Sequence, residues 1–258
     1  MSPRAKSVLA PAAVIAAALI GWELAARWDV LADLFSIKDF LVPAPSEIAE
    51  ALWDDRELLA EDAWVTLQEV VLGFTIAAAL GIGFAVCIHL SETARRALYP
   101  LLVASQTIPI IAIAPILIVW FGFGLGPKLA IIALICFFPI TVNTLDGLRS
   151  VDPELVKMLR TLGADRMQIL RRAEFPSALP YAFSGAKVAV AVAVIGAVFG
   201  EWVGANEGLG HLMVTAQAQL LTARVFAAIV VLSAMAIALF GLLSLLERRV
   251  VDWREPPR

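Results

Sequence analysis

The chain has 258 residues, of which 60% are apolar and 17% are charged, and its mean hydropathy is +0.85. A typical soluble domain has roughly 45–50% apolar and about 25% charged residues, so this composition excludes an ordinary soluble protein. The net charge of −3 argues against nucleic acid as a partner. The two cysteines, Cys87 and Cys136, and the two histidines, His89 and His211, form no metal-binding or disulfide pattern.

Six apolar runs are long enough to cross a membrane, because about 20 apolar residues span a bilayer core. In lipid the backbone must satisfy its own hydrogen bonds, so each run is predicted to be a helix. We therefore expect an all-α polytopic membrane protein with six transmembrane helices, forming one domain over residues 1–258. The runs extend approximately over Val8–Ala26, Val65–His89, Leu98–Gly122, Leu129–Leu148, Ala178–Gly204 and Val225–Leu246.

The first run follows two basic residues, as in a signal peptide, but it is long for a signal and we expect it to be retained. Lys and Arg residues are enriched in cytoplasmic loops of membrane proteins. Placing both termini in the cytoplasm puts most of the 20 basic residues inside. These residues are Arg4, Lys6, Arg95, Arg96, Arg149, Lys157, Arg160, Arg166, Arg171, Arg172, Arg248, Arg249, Arg254 and Arg258.

An acidic segment, residues 29–63, separates the first two runs on the predicted outer side. From Pro45 onward its pattern predicts an amphipathic helix with Ser46 as the N-cap. Ile48 and Leu52 would share one face of that helix, with Trp53 beside them. We expect the helix to lie along the outer surface.

The longest cytoplasmic loop covers residues 149–176 and contains signals for two short helices. Asp152 is a good N-cap with Pro153 at the first helical position, and Gly163 is a good stop for that helix. Asp165 then begins a second helix, with Gln168 in the position that completes a capping box.

Pro176 and Pro180 are predicted to close the second helix and to lead into the fifth span. The loop is therefore expected to form a rigid helix pair.

Polar residues inside membrane spans are costly and are candidates for function. Gln106 lies near Pro109, which is expected to kink the third span. Together with Asn143, Lys187 and Glu201 it forms our set of candidates for lining a translocation pathway. Helix packing or a position at the membrane interface accounts for each of the four equally well on sequence grounds.

Two further patterns favour structural roles. Glu23 and Arg27 are spaced to form an ion pair on one face of the first helix. The fifth span carries small residues at four-residue spacing, which allows helices to pack closely within the chain or across a dimer. They are Ala189, Ala193, Ala197, Gly196, Gly200 and Gly204.

The cytoplasmic loop resembles the signature loop of ABC importer permeases. Gly163 takes the glycine position of that signature, and after nine residues Ala173 stands for its isoleucine, with Phe175 and Pro176 as its Leu-Pro pair. The Glu-Ala-Ala positions of the family differ, since they are occupied here by Lys157, Met158 and Leu159.

The resemblance extends over nearly the whole chain. Glu201-Trp202 followed by Gly208-Leu209-Gly210 is similar to a segment that follows the family's fifth helix. Three other segments resemble the branch that serves nitrate, sulfonates, taurine and thiamine-pyrimidine precursors. They are Val42 to Ser46, Trp120 to Gly122, and Phe138 to Ile140.

The resemblance implies the permease fold of a type I ABC importer in the inner membrane of a prokaryote. It implies a second permease copy, two ABC ATPase subunits and an extracytoplasmic substrate-binding protein as partners. Six residues of the loop would contact the ATPase: Leu162, Gly163, Ala164, Asp165, Arg166 and Pro176. The substrate is expected to be a thiamine-pyrimidine precursor or another heterocycle, with sulfonate, taurine and nitrate as alternatives.

No catalytic residue, metal site or cofactor of its own is expected in the chain. The glycine-rich stretch from Gly122 to Lys128 is not a Walker A motif and is interpreted as a turn, so a partner subunit would bind Mg-ATP. An intramembrane enzyme would need a catalytic set, and Asp146 has no aspartate partner in another span. A secondary transporter usually shows inverted repeats, which the sequence lacks. The signature loop argues against both alternatives.

Overall fold

The computed structural model describes residues 3–28 and 41–252, with side chains of the first helix described from Ala13 onward. These residues form α-helices and no β-strand, which confirms the all-α prediction. The helices are α1 Pro3–Arg27, α2 Pro45–Asp54, α3 Arg56–Leu90, α4 Glu92–Ser105, α5 Ile110–Phe121, α6 Leu125–Arg149, α7 Pro153–Thr161, α8 Arg166–Ile169, α9 Phe175–Gly204, α10 Leu209–Ala218 and α11 Thr222–Val250.

All six predicted apolar runs fall on helices. Helices α3, α6, α9 and α11 are each long and apolar enough to cross a membrane, and the bent pair α4–α5 brings that number to five. Helix α1 covers the first predicted run. The structure therefore shows a multi-pass helical membrane protein, and the total of six spans stays a prediction.

The third predicted run is not one helix. It breaks after Ser105, and the axes of α4 and α5 differ in direction by 104°. Pro109 at the start of α5 has no N–H group to donate, and a residue preceding proline is disfavoured in helical conformation. After α5 the chain turns at Gly122 and Gly124, which both have positive φ, as predicted for this glycine-rich stretch.

Helix α2 begins two residues earlier than the predicted cap implies, because Ala44 and not Ser46 is its N-cap. Ala44 has no side-chain acceptor, and its N–H instead donates to the carboxylate of Glu47 at 3.0 Å. The N–H and hydroxyl of Ser46 donate to Glu23, at 3.0 and 2.9 Å, which connects α1 to α2. The predicted ion pair between Glu23 and Arg27 is present at 2.6 Å.

The apolar face of α2 packs as predicted, with Ile48 buried and Leu52 partly buried against the core. Trp53 remains exposed, with the guanidinium of Arg56 above its ring. The first acidic residues of the outer segment, Asp29, Asp33 and Asp39, lie outside the described residues.

Helix α6 is the centre of the bundle and lies between α3 and α9. Glycines on both neighbours allow the close approach, since a Cβ at Gly73 of α3 would lie 2.7 Å from Ile132 and one at Gly185 of α9 would lie 2.6 Å from the carbonyl oxygen of Pro139. Gly196 and Gly200 face α6 in the same way. The small residues of the fifth span therefore pack within the chain.

Candidate functional site

Helix α7, the first helix of the predicted pair, has the ends that the sequence predicts. The carboxylate of Asp152 accepts the N–H of Glu154 at 2.8 Å, which satisfies one free donor at the helix start. At the other end the N–H groups of Gly163 and Ala164 donate to carbonyls of the last turn, at 2.9 and 3.0 Å. Gly163 has a φ of +86°, so the left-handed stop is a backbone conformation that glycine adopts at low cost.

Helix α8 begins with the predicted capping box. The carboxylate of Asp165 accepts the N–H of Gln168 at 2.7 Å, and the Gln168 side chain accepts the N–H of Asp165 at 3.1 Å. The prediction that Pro176 and Pro180 close this helix is wrong. A π-helical turn, Leu170–Glu174, joins α8 to α9 without a break, and Pro176 lies just after that turn.

A buried carboxylate fixes this loop to the rest of the bundle. Glu174 has a side-chain exposure of 6%, and one of its oxygens contacts His89 at 2.9 Å and Arg166 at 2.5 Å. His89 lies in the last turn of α3, so the helix pair is attached both to α9 and to the end of α3. Sequence reasoning missed this contact because the two partners of the His89–Glu174 pair are 85 positions apart.

Helix α7 presents an unpartnered apolar stripe. Leu155, Met158 and Leu162 follow one another at helical spacing and are 39%, 53% and 75% exposed. Within the described residues, no side chain of α7 is buried. An apolar surface of this kind at the end of a helical bundle is typical of a site that binds another protein.

Five of the six predicted contact residues lie at the junction of α7 and α8, and the sixth, Pro176, lies at the start of α9. Leu162, Gly163 and Asp165 are exposed, whereas Ala164, Arg166 and Pro176 are partly buried. Arg166 also holds Glu174, so its side chain has a structural contact within the chain.

A second set of functional candidates surrounds Glu201 near the opposite end of α9. Glu201 is 1% exposed, and its carboxylate accepts the hydroxyl of Thr66 at 2.7 Å and the N–H of Gly210 at 2.5 Å. Beside it, the ammonium of Lys128 lies 2.5 Å from the buried carboxylate of Glu69. Lys128 ends the stretch that was interpreted as a turn, but α6 begins earlier than predicted and buries it. We call these groups, which lie at the end of the bundle opposite the α7–α8 loop, the outer cluster.

The outer cluster also holds the start of α10, a helix that the sequence analysis did not predict. The N–H of Gly208 donates to Asp62 at 2.8 Å, and that of Leu209 donates to Thr66 at 2.9 Å. A Cβ on Gly208 would collide with the Glu201 carboxylate, and one on Gly210 would lie 2.7 Å from it. The glycines therefore allow the backbone to approach the buried carboxylate.

The four pathway candidates are not brought together. Glu201 belongs to the outer cluster. Asn143 donates to the carbonyl of Pro139 in its own helix at 2.7 Å, and it packs against Gly185. This arrangement favours a role in helix packing.

Lys187 and Gln106 occupy two different places. The ammonium of Lys187 forms an ion pair with Glu247 of α11 at 2.7 Å, which stabilises the contact between α9 and α11. Gln106 follows the last residue of α4, at the break in the third span, where it lines a cavity of about 360 Å³.

Comparisons with known proteins place these features in a family. Residues 76–252 match the model of the binding-protein-dependent transport system inner membrane component. The chain is 38% identical to the formylaminopyrimidine transport permease protein ThiX of Halalkalibacterium halodurans, with 98% of each chain covered. It is 37% identical to the riboflavin transport system permease protein RibX of Chloroflexus aurantiacus, covering 88% of this chain and 85% of that one.

More distant similarities agree with this family. The taurine transport system permease protein TauC of Escherichia coli is 29% identical, over 88% of this chain and 85% of that one. Among solved structures, an inward-facing conformation of the MetNI methionine ABC transporter matches with a TM-score of 0.64 at 20% identity. That match covers 77% of this chain and 97% of the other, and it shows a shared fold. The chain belongs to the family of binding-protein-dependent transport system inner membrane components, the permeases of ABC importers.

Proposed function

We propose that the chain is the non-catalytic permease subunit of an ATP-driven importer that moves a small heterocyclic solute into the cell. ATP and Mg²⁺ would bind to a separate ATPase subunit, and the chain would supply the membrane pathway. Two permease copies, two ATPase subunits and an extracytoplasmic binding protein would form the complete importer. Residues 1–258 would act as one transmembrane domain within it.

The observation that carries the proposal is the exposed apolar stripe of α7 on a rigidly held loop. The stripe is a surface for a protein partner, since its three large side chains remain exposed in the described part of the chain. Because α8 is continuous with α9 and Glu174 holds the end of α3, movement of the loop would be passed directly to two membrane helices. An ATPase that bound α7 could thus change access to the pathway.

The direction of insertion follows from charge. The apolar stripe lies at the end of the bundle that also carries Arg95, Arg96, Arg149, Arg171 and Arg172, whereas the opposite end carries the acidic residues of α2. The excess of basic residues beside the loop supports a cytoplasmic position for it and for both termini, in the inner membrane of a prokaryote.

The substrates after which the relatives are named support a heterocyclic solute as the transported molecule. The two relatives cited at 37–38% identity are named for formylaminopyrimidine and riboflavin, and the one named for taurine is 29% identical. A heterocyclic solute is therefore our first choice, and a sulfonate or taurine is the second.

A charge placed on the stripe tests the docking role. In Met158→Glu we expect that the tagged protein inserts normally but no longer co-purifies with an ABC-type ATPase, because a carboxylate would be desolvated in an apolar contact. Co-purification from mild detergent, with partners identified by mass spectrometry, measures this effect. Arg96→Gln is the matched control, since it makes the same change in charge at a residue that is 80% exposed in its side chain on α4.

Retention of the ATPase by Met158→Glu at the wild-type level would contradict docking through the stripe. Recovery of the wild-type protein without any ATPase would contradict the proposed function itself.

A further inference from the structure

A cavity of about 360 Å³ lies beside the break between α4 and α5. The break falls inside the apolar run Leu98–Gly122. The cavity therefore lies within the apolar part of the bundle, where a continuous helix would otherwise fill the space. Its walls come from α3, α4, α5 and α6, and they include Phe84, Leu102, Ile110 and Phe137. Four elements of the bundle therefore contribute to one partly open cavity.

The walls combine aromatic rings with a single available amide. The rings of Phe84 and Phe137 meet edge to face, with centroids 5.3 Å apart. Ser105 also lines the cavity, but its hydroxyl donates to the carbonyl of Leu102 at 2.7 Å. The side-chain amide of Gln106 makes no hydrogen bond to another described residue, so both its donor and its acceptor remain for a ligand.

Volume and chemistry fit a small planar ligand. Small-molecule sites usually measure roughly 300–1,000 Å³ and combine an apolar lining with a few polar groups that fix the ligand's orientation. A primary amide can pair at once with a ring nitrogen and an adjacent amino group, as side-chain amides do with adenine. Aromatic walls favour the flat faces and edges of such a ring.

We propose that this cavity binds the heterocyclic ring of the solute during its passage, with the Gln106 amide pairing with the polar edge of the ring. The inference rests on the proposed function and adds a binding site to it. A lipid chain is the competing occupant, and it has no polar group that could form a hydrogen bond with the amide.

Uptake of labelled formylaminopyrimidine by vesicles that contain the permease, its ATPase and its binding protein tests the proposal. We expect Gln106→Leu to lower uptake by about fivefold, the factor that the net contribution of one hydrogen bond provides. Gln106→Asn retains an amide and should lose less. Gln68→Leu is the matched control, since Gln68 is exposed on α3 away from the cavity and its replacement should leave uptake unchanged.

A labelling experiment tests binding without transport. In a Cys87→Ala background, Leu101→Cys should react with a maleimide and keeps Gln106, because Leu101 lines the cavity and is 65% exposed whereas Cys136 is buried. Formylaminopyrimidine at twice its dissociation constant should slow the reaction by about threefold.

Equal uptake by Gln106→Leu and Gln68→Leu, or labelling that the pyrimidine does not slow, would overturn the cavity site while leaving the importer intact. A wild-type complex that lacks an ATPase would overturn the proposed function, and this inference with it.

Discussion

Glu201 and the glycines of α10 depend on one another for their positions. A buried carboxylate is costly unless donors satisfy it, and the hydroxyl of Thr66 and the N–H of Gly210 supply those donors. Gly210 is confined from a second side, because a Cβ there would lie 2.9 Å from the backbone of Val198. The outer cluster thus joins α3, α9 and α10 through one side chain.

Substitution of Gly210 tests this packing. Gly210→Ala should lower the free energy of unfolding by about 1–3 kcal/mol, because the added methyl group would meet backbone that cannot move away. Gly241→Ala is the matched control on α11, where a Cβ would meet nothing within 4 Å. The control should be neutral or stabilising by up to about 1 kcal/mol. Thermal unfolding of both variants in detergent measures the difference, and equal midpoints would contradict the account.

We predict that the Glu174 carboxylate stabilises the α7–α8 loop and also transmits movement of this loop to α3. Glu174→Gln should destabilise the loop by less than the ~3–5 kcal/mol of a fully buried pair, since Arg166 is 37% exposed in its side chain. We expect lower uptake for each ATP hydrolysed, because the neutral amide weakens the contact with His89 that attaches the loop to α3. Glu92→Gln removes an exposed pairing on α4 and should leave that ratio unchanged. A wild-type ratio in Glu174→Gln would contradict the transmission role.

At the scale of elements, local signals predicted the α7–α8 helix pair well and its connection to α9 poorly. Asp152, Gly163 and the Asp165–Gln168 box act within a few residues, so their effect is visible in the sequence. The π-helical turn before Pro176 depends on packing around Glu174, which local propensity does not contain. Helix α8 is therefore an extension of a membrane helix and not a separate unit.

The turn at Gly163 should control coupling. Gly163→Pro cannot adopt the φ of +86° and also loses the N–H that closes α7, so we expect ATP-driven uptake to be abolished with membrane insertion intact. Gly163→Asn is the control, since asparagine tolerates the left-handed region and should retain most of the uptake. Normal uptake by Gly163→Pro at normal expression would contradict the lever role of the loop.

At the scale of the whole molecule, hydropathy located the helices but not the contacts between them. The six runs fall on helices because their length and polarity are set by lipid, a constraint that sequence carries directly. The break near Gln106 was foreseen only as a kink. The partners of Lys128, Lys187 and Glu201 were not predicted, because each lies on a helix distant in sequence.

A broken membrane helix is also common among secondary transporters, so the energy source is the decisive question. The most direct measurement is uptake by vesicles that contain the permease with its co-purified ATPase and binding protein. Our account predicts uptake only when hydrolysable ATP is present on the side of the α7–α8 loop. Uptake by the permease alone, driven by an ion gradient without ATP, would contradict it.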